Sequence, residues 1–373
     1  MRGGDTVVNT MEPSGVALEI EDERRGVALK AGGEPAASEV RSTRPPKASI
    51  VICNCNYGRF LGEAIDSALA QTWADTEVIV VDDGSTDNSR QVIESQGDRV
   101  RAIFKANGGH VSALNLGFAA SSGDLVLFLD SDDVLEPNAI ETVVGEWREG
   151  MARVLFPLEV VDKGGKPLGR EVGGQELPSP VLGPFGVGSP TSGNVFSRAA
   201  LEKMLPIPET EWTACPDMYL AAAGLFGEVK RLRQPLAKYR VHGSNCLACG
   251  EPLAVIRNRI QLDIKLYQAL DRLTDGKMMP LEEWVGACPQ HWVRRIVLRR
   301  EGARDDSRPE SLPRLTMKAV KATWRQPERN IRRRLAYSIF AVAYSTLPRK
   351  AIGYLLEIEG GARGRVLKGL LGE

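Results

Sequence analysis

The pattern of apolar and polar positions changes abruptly at residue 48. Residues 1–45 mix Gly, Pro, Ser and charges without a sustained period and end in Arg44-Pro45-Pro46, which reads as a mobile leader. Ala48-Ser49-Ile50-Val51-Ile52-Cys53 is then a nearly continuous β-branched apolar run, as expected of a strand buried on both faces of a parallel sheet. From there the period alternates between helix-like and strand-like. It predicts a helix from Phe60 to Gln71, a strand from Val78 to Val81, a helix from Asn88 to Gln96 and a short strand from Val100 to Phe104. A helix from Val111 to Ala120 and a strand from Leu125 to Leu129 follow. Alternation at this spacing predicts an α/β fold, a parallel sheet with helices on both faces.

Past that strand the pattern loosens. Gly and Pro crowd the segment from Lys163 to Ser192, which predicts a long irregular excursion. A helix around Asp217 to Leu225, a strand near Val229 to Leu232 and a turn-rich stretch to Gly250 come next. Beyond Glu251 the spacing of Ile256, Ile260, Ile264 and Leu266-Tyr267 is helical. The chain therefore divides into a leader (1–45), an α/β domain (46–250) and a C-terminal helical region (251–373), with no internal repeat.

Composition narrows the setting. At 373 residues and 43% hydrophobic, the chain can bury a substantial core. Lys plus Arg equal Asp plus Glu at 48 each, so no global excess points to nucleic acid. Locally, Arg314 to Lys350 is rich in Lys and Arg against the single acid Glu328, with Arg332-Arg333-Arg334 just before the apolar run Ala336 to Leu347. A solvated basic helix face beside core residues is the favoured reading there; peripheral contact with an anionic inner membrane face is the alternative. The run is shorter than the roughly 20 residues that span a bilayer, which argues against an integral membrane protein. Six cysteines do not make the framework of a small secreted fold, and no basic-then-apolar signal opens the chain, so a reduced cytoplasmic setting fits.

Two acidic groups lie where open α/β sheets bind ligands, at the carboxyl ends of expected strands. Asp82-Asp83-Gly84-Ser85-Thr86-Asp87 follows one strand and could equally be an ordinary capped turn. Asp130-Ser131-Asp132-Asp133 ends another, and so much negative charge on a buried strand costs free energy unless a cation or hydrogen-bond donors compensate. Carboxylates together with diphosphate oxygens suit a hard divalent cation, Mg2+ or Mn2+.

The runs ASIVICNCNYGRFLGEAIDSALAQTWADTEVIVVDDGSTDNS, NGGHVSALNLGFAASSGDLVLFLDSDD, CPDMYL and YRVHGSN, in this order over about residues 48–245, resemble family 2 glycosyltransferases of the GT-A fold. The resemblance implies a Rossmann-like mixed, mostly parallel sheet. It also implies inverting, metal-dependent transfer of a hexose from a nucleotide-sugar, most simply a UDP-sugar, to a saccharide or lipid-linked acceptor, as in polysaccharide biosynthesis. By the same resemblance Asp83 and Cys53 contact the nucleotide base, Cys55 occupies a position commonly held by a stacking aromatic, and Asp130 and Ser131 lie by ribose and diphosphate. Asp132, of the DxD motif, and His242 are then the metal ligands, Asp217 is the catalytic base, and Ser192, Gly193 and Asn194 lie on the acceptor side.

Each assignment has a plainer counterpart. Asp217, after Pro216, could simply cap its helix. Arg240 could neutralise phosphate or form an exposed salt bridge. His110 and His291 read as structural, and Cys246 and Cys249, with Cys215, are a weak zinc signal and read better as free thiols. A sugar-nucleotide pyrophosphorylase would need an early Gly-rich basic loop where Asn54-Cys55-Asn56-Tyr57 stands. An inactive nucleotide-sugar binding or scaffolding module would have no need of Asp217 and His242.

Overall fold

A computed structural model describes residues 44–173, 189–212, 216–242, 252–303, 310–325 and 331–348. The expected leader up to residue 43 lies outside these, as do Cys215, Cys246 and Cys249 and residues 174–188 of the excursion.

The alternating part runs β1 (Ala48–Asn54), α1 (Gly58–Leu69), β2 (Thr76–Asp83), α2 (Ser89–Glu94), β3 (Arg101–Lys105), α3 (His110–Ala120) and β4 (Leu125–Asp130). These match the expected elements to within a few residues. There follow β5 (Val134–Leu135), α4 (Ala139–Glu146), β6 (Met151–Leu155), β7 (Leu158–Val161) and β8 (Pro167–Val172). Next come β9 (Asn194–Ser197), α5 (Arg198–Leu201), α6 (Pro216–Leu220), β10 (Glu228–Arg231) and β11 (Ala237–Arg240). Five helices close the described chain: α7 (Pro252–Leu273), α8 (Leu281–Gly286), α9 (Pro289–Arg300), α10 (Leu312–Trp324) and α11 (Ile331–Thr346).

The main sheet has seven strands in the order β10-β6-β9-β4-β1-β2-β3, all parallel to their neighbours except β9, which runs antiparallel to β4 and β6. It is the mixed, mostly parallel α/β sheet that was expected. Because successive strand residues point to opposite faces, β1 feeds two cores. Ile50 and Ile52 pack with α1 and α4, while Val51 packs with α3 and the C-terminal helices. Helix α3 lies so close to the sheet that a Cβ on Gly117 would stand 2.2 Å from Val51 Cγ1.

A smaller sheet, β5-β11-β7-β8, begins directly after the acidic cluster. The expectation of an irregular excursion from Lys163 is corrected here. Residues 167–172 are β8, paired antiparallel with β7 around a turn in which Asp162 accepts the N–H groups of Gly164 and Lys166. The helix expected from Asp217 to Leu225 is α for only its first turn and tightens to 3-10 geometry over Ala221–Phe226.

Residue 250 divides the chain by pattern more than by packing. Leu266, Ala269 and Leu270 of α7 and Trp284 of α8 belong to the same apolar core as Val51, Val126 and Phe128 of the sheet.

Candidate functional site

The parallel register brings the site together at the carboxyl ends of the sheet's central strands. Cys53 on central β1 pairs with Val81 on one side and Asp130 on the other, and Asn54 pairs with Asp82. The last residues of β1, β2 and β4 thus converge, although they lie far apart in sequence.

Asp83 is buried and already well supplied with donors. Lys105 Nζ lies 2.6 Å from Oδ1, and the N–H groups of Gly108 and Gly109 donate to the two oxygens at 2.8 and 2.7 Å. Gly109 makes this approach with φ of +90°, a conformation that disfavours other residues. Asp82 accepts from Asn54 Nδ2 and from the Ser85 N–H, both at 2.9 Å, as a turn-forming Asp would. Between these carboxylates the thiols of Cys53 and Cys55 are held protonated: burial raises both, and Asp130 and Asp83 raise Cys53 further. Asn107 Nδ2 reaches Cys55 Sγ at 3.3 Å.

Beyond β4, Asp132 Oδ2 meets His242 Nε2 at 2.8 Å across 110 residues of sequence. The small sheet explains how. β5 follows the acidic cluster immediately and pairs with β11, and His242 lies two residues past the end of β11. Tyr57 and Phe60 pack on the His242 ring at centroid distances of 5.5 and 4.9 Å, leaving its side chain 2% exposed. Asp133 turns inward, accepting from Ser192 Oγ at 2.7 Å and from the Arg240 N–H at 3.1 Å. Arg240 forms the salt bridge, to the exposed carboxylate of Glu63 at 2.6 Å, but from a buried side chain. Its buried guanidinium donates to the backbone oxygens of Asp132 and Lys163 and to Glu63, and it stacks over Phe60.

The cluster's charge is visible in its protonation. Burial, then Asp132 and Asp217, push the Asp130 carboxyl up to about 8. Burial, Asp132 and Asp130 raise Asp133 as well, against the pull of Ser192 and Arg240. Burial raises Asp217 too, opposed by the positive charges of Arg259 and Arg153 and by the backbone N–H of Met218. Asp217 therefore lies within electrostatic reach of Asp130.

Ser192, Gly193 and Asn194, expected to face an acceptor, are buried and occupied with protein groups. The Asp130 N–H donates to Ser192 Oγ at 3.1 Å. Asn194 Oδ1 accepts from Arg153 Nε at 2.8 Å, while its Nδ2 donates to the Pro190 carbonyl at 2.7 Å. A Cβ on Gly193 would stand 2.2 Å from Ser189 Oγ, 2.6 Å from Leu158 Cδ1 and 2.8 Å from the Phe156 carbonyl, so this glycine admits protein packing. The segment braces the acidic cluster from below.

Several site residues carry no signature in the sequence. Lys105, Arg153, Arg259 and Glu63 come from four different elements and are ordinary surface-type residues in pattern. His110, read as structural, opens α3 with Nε2 3.7 Å from Asp130 Oδ1. Its position after Gly108-Gly109 was the available hint. His291 is structural as expected, meeting Asp263 at 3.2 Å beside Arg294 in the α7–α9 contact.

Residues 49–204 match the model of the family described as glycosyl transferase family 2. The chain contains a family 2 glycosyltransferase domain. It is 39% identical over 212 residues to an uncharacterized glycosyltransferase of Nostoc sp. (strain PCC 7120), a match covering 53% of this chain and 66% of that protein. Matches to seven further curated relatives cover 37% or less of their lengths, so the chain spans under two thirds of the curated relatives it matches. Among solved structures, S. aureus TarS in complex with UDP-GlcNAc is 18% identical, with 80% of this chain and 91% of that one covered and a TM-score of 0.48. A mannosyltransferase from Pyrobaculum calidifontis in complex with GDP-Man and Mn2+ is 14% identical, with 88% and 85% covered and a TM-score of 0.48.

Within the glycosyltransferase domain, Asp132 and His242 are the pair that could hold a divalent cation. Adjacent ligands of an octahedral ion sit about 3 Å apart, and Asp132 Oδ2 and His242 Nε2 are separated by 2.8 Å. Among the described residues no group of three or more His, Cys, Asp or Glu side chains could hold a metal. A cation held here would draw its remaining ligands from substrate oxygens and water, the usual arrangement for Mg2+ at diphosphates.

Proposed function

We propose that this protein is an inverting, metal-dependent glycosyltransferase that takes a hexose from a nucleotide-sugar, in the first instance a UDP-sugar, and places it on a saccharide or lipid-linked acceptor, as a polysaccharide-building enzyme would. The observation that carries the reading is the convergence of Asp132 with His242 beside a proton-retaining Asp130, with Asp217 close enough to raise Asp130 further. So many acids held together in a buried site are tolerable as a receptor for positive charge. Asp132 and His242 would hold Mg2+ or Mn2+, whose charge stabilises the departing diphosphate.

In this reading Asp83, Cys53 and Cys55 border the base, with Lys105 and the Gly108-Gly109 amides fixing the Asp83 carboxylate. Asp130 and Ser131 lie at ribose and diphosphate. Asp217 takes the proton from the acceptor hydroxyl as its oxygen bonds to the anomeric carbon and the bond to the diphosphate breaks. Burial favours this role, because a desolvated carboxylate is the stronger base, and the charges of Arg259 and Arg153 oppose the upward shift. Ser192, Gly193 and Asn194 act as the brace of the cluster. An inactive binding module would keep the nucleotide pocket without needing a buried base.

Release of nucleoside diphosphate from a panel of nucleotide-sugars, with and without Mn2+, tests the reading. Wild type should release product only with metal. Asp217→Asn should retain nucleotide-sugar binding and lose transfer by about 10²–10⁴-fold, the usual worth of a positioned base. Unchanged turnover in Asp217→Asn would reject the base assignment.

A further inference from the structure

The last two described helices turn apolar side chains toward solvent. On α11, Ile331, Leu335, Ile339 and Val342 are 61, 46, 66 and 45% exposed. Their spacing places them on one stripe, which runs about 16 Å along the helix, whereas Ala341 is buried. The pattern is inverted relative to α7, where Ile256 and Ile260 at the same spacing point inward. On α10, Met317 and Trp324 are also exposed, and a groove lined by Met317, Val320 and Val342 joins the two helices. Trp324 Nε1 donates to Ser338 Oγ at 3.2 Å, fixing one helix against the other.

The sequence of this stretch is strongly basic. From Arg314 to Lys350 the chain carries ten Lys and Arg against the single acid Glu328. Arg314 and Lys318 are drawn to Glu310 at 3.3 and 2.6 Å. Lys321 and Arg325 are exposed and form no ion pair among the described residues.

We propose that α10 and α11 together form a monotopic membrane-binding element that lays the Ile331–Val342 stripe into the headgroup boundary of an anionic bilayer. A second copy of the chain would set two faces of the same charge against each other. An anionic lipid surface supplies both the apolar depth and the opposite charge, and Trp324 is of the side-chain type that favours the interface. No helix among the described residues is long and apolar enough to cross a membrane, so the element lies on the bilayer. This inference stands apart from the donor site and does not depend on it.

Flotation of the full chain with lipid vesicles tests it. The protein should bind vesicles of phosphatidylcholine mixed with phosphatidylglycerol, lose binding as salt is raised, and ignore phosphatidylcholine alone. Leu335→Glu/Ile339→Glu and Lys321→Glu/Arg325→Glu should each bind mixed vesicles at least about tenfold more weakly. All four side chains are exposed, so both variants should melt with wild type. Absence of binding to mixed vesicles, or equal binding by wild type and both variants, would overturn the proposal. So would Leu335→Glu/Ile339→Glu turning a dimer into a monomer by light scattering with vesicle binding intact, which would assign the face to a second copy.

Discussion

Asp130 retains its proton to about pH 8 through burial and the charges of Asp132 and Asp217, and this sets how the protein responds to pH. A carboxyl whose folded pKa is raised binds more protons folded than unfolded between about pH 4 and 8. Its contribution to stability is therefore fully present below pH 4 and is lost as pH rises toward 8. Asp133 and Asp217 are shifted in the same direction. Metal-free protein should melt at progressively lower temperature from pH 5 to 8, Mn2+ should raise the melting temperature more at pH 8 than at pH 5, and Asp130→Asn should flatten the slope. A melting temperature independent of both pH and metal would contradict this. The acids were legible as residues because charge at the end of an apolar strand stands out. Arg153 and Arg259, which temper Asp217, were not, since nothing in an isolated Arg marks the carboxylate it will face. Ser192 and Asn194 were noticed but their bonding was not foreseen: small polar residues look alike whether they line a cleft or, as here, bond inward to Asp133 and Arg153.

At the level of elements, the period of the apolar pattern sufficed wherever a strand was long and buried on both faces, as in β1, β2 and β4. It failed for β9, whose four residues are too few to show a period, and for β6 and β7, short strands separated only by Phe156 and Pro157. β8 was hidden by its exposure and glycine, because its order comes from pairing with β7. Two glycines test the packing. Gly117→Ala would push a methyl into Val51 and lift α3 from the sheet, and Gly193→Ala would strike Ser189 and Leu158. Each should cost about 1–3 kcal/mol in denaturant unfolding, the usual penalty of overpacking. Gly193→Ala should in addition weaken nucleotide-sugar binding, since it disturbs the brace under Asp130 and Asp133. Wild-type stability in either variant would contradict the packing described.

For the whole molecule, the division at residue 250 does not separate independent cores. Trp284, 1% exposed in α8, packs on Tyr267 and belongs to the core that includes the sheet. Trp284→Ala should lower the stability of one cooperative transition by about 3–5 kcal/mol; a second, separate transition would show the C-terminal helices to be an independent unit. That sharing could not be read from sequence, because an amphipathic helix shows that it has a buried face but not what buries it. The convergence of β4 with the residues after β11 was likewise visible only as motif order, until the small sheet supplied the path between them. It is also the point on which the functional reading rests. Calorimetric titration of UDP and UDP-sugars into wild type and Asp132→Ala, with Mn2+ and with chelator, tests it most directly. Wild type should bind only with Mn2+ and Asp132→Ala should bind weakly in either condition; equal affinity with and without metal, unaltered in Asp132→Ala, would contradict the assignment of this cluster as a metal and diphosphate site.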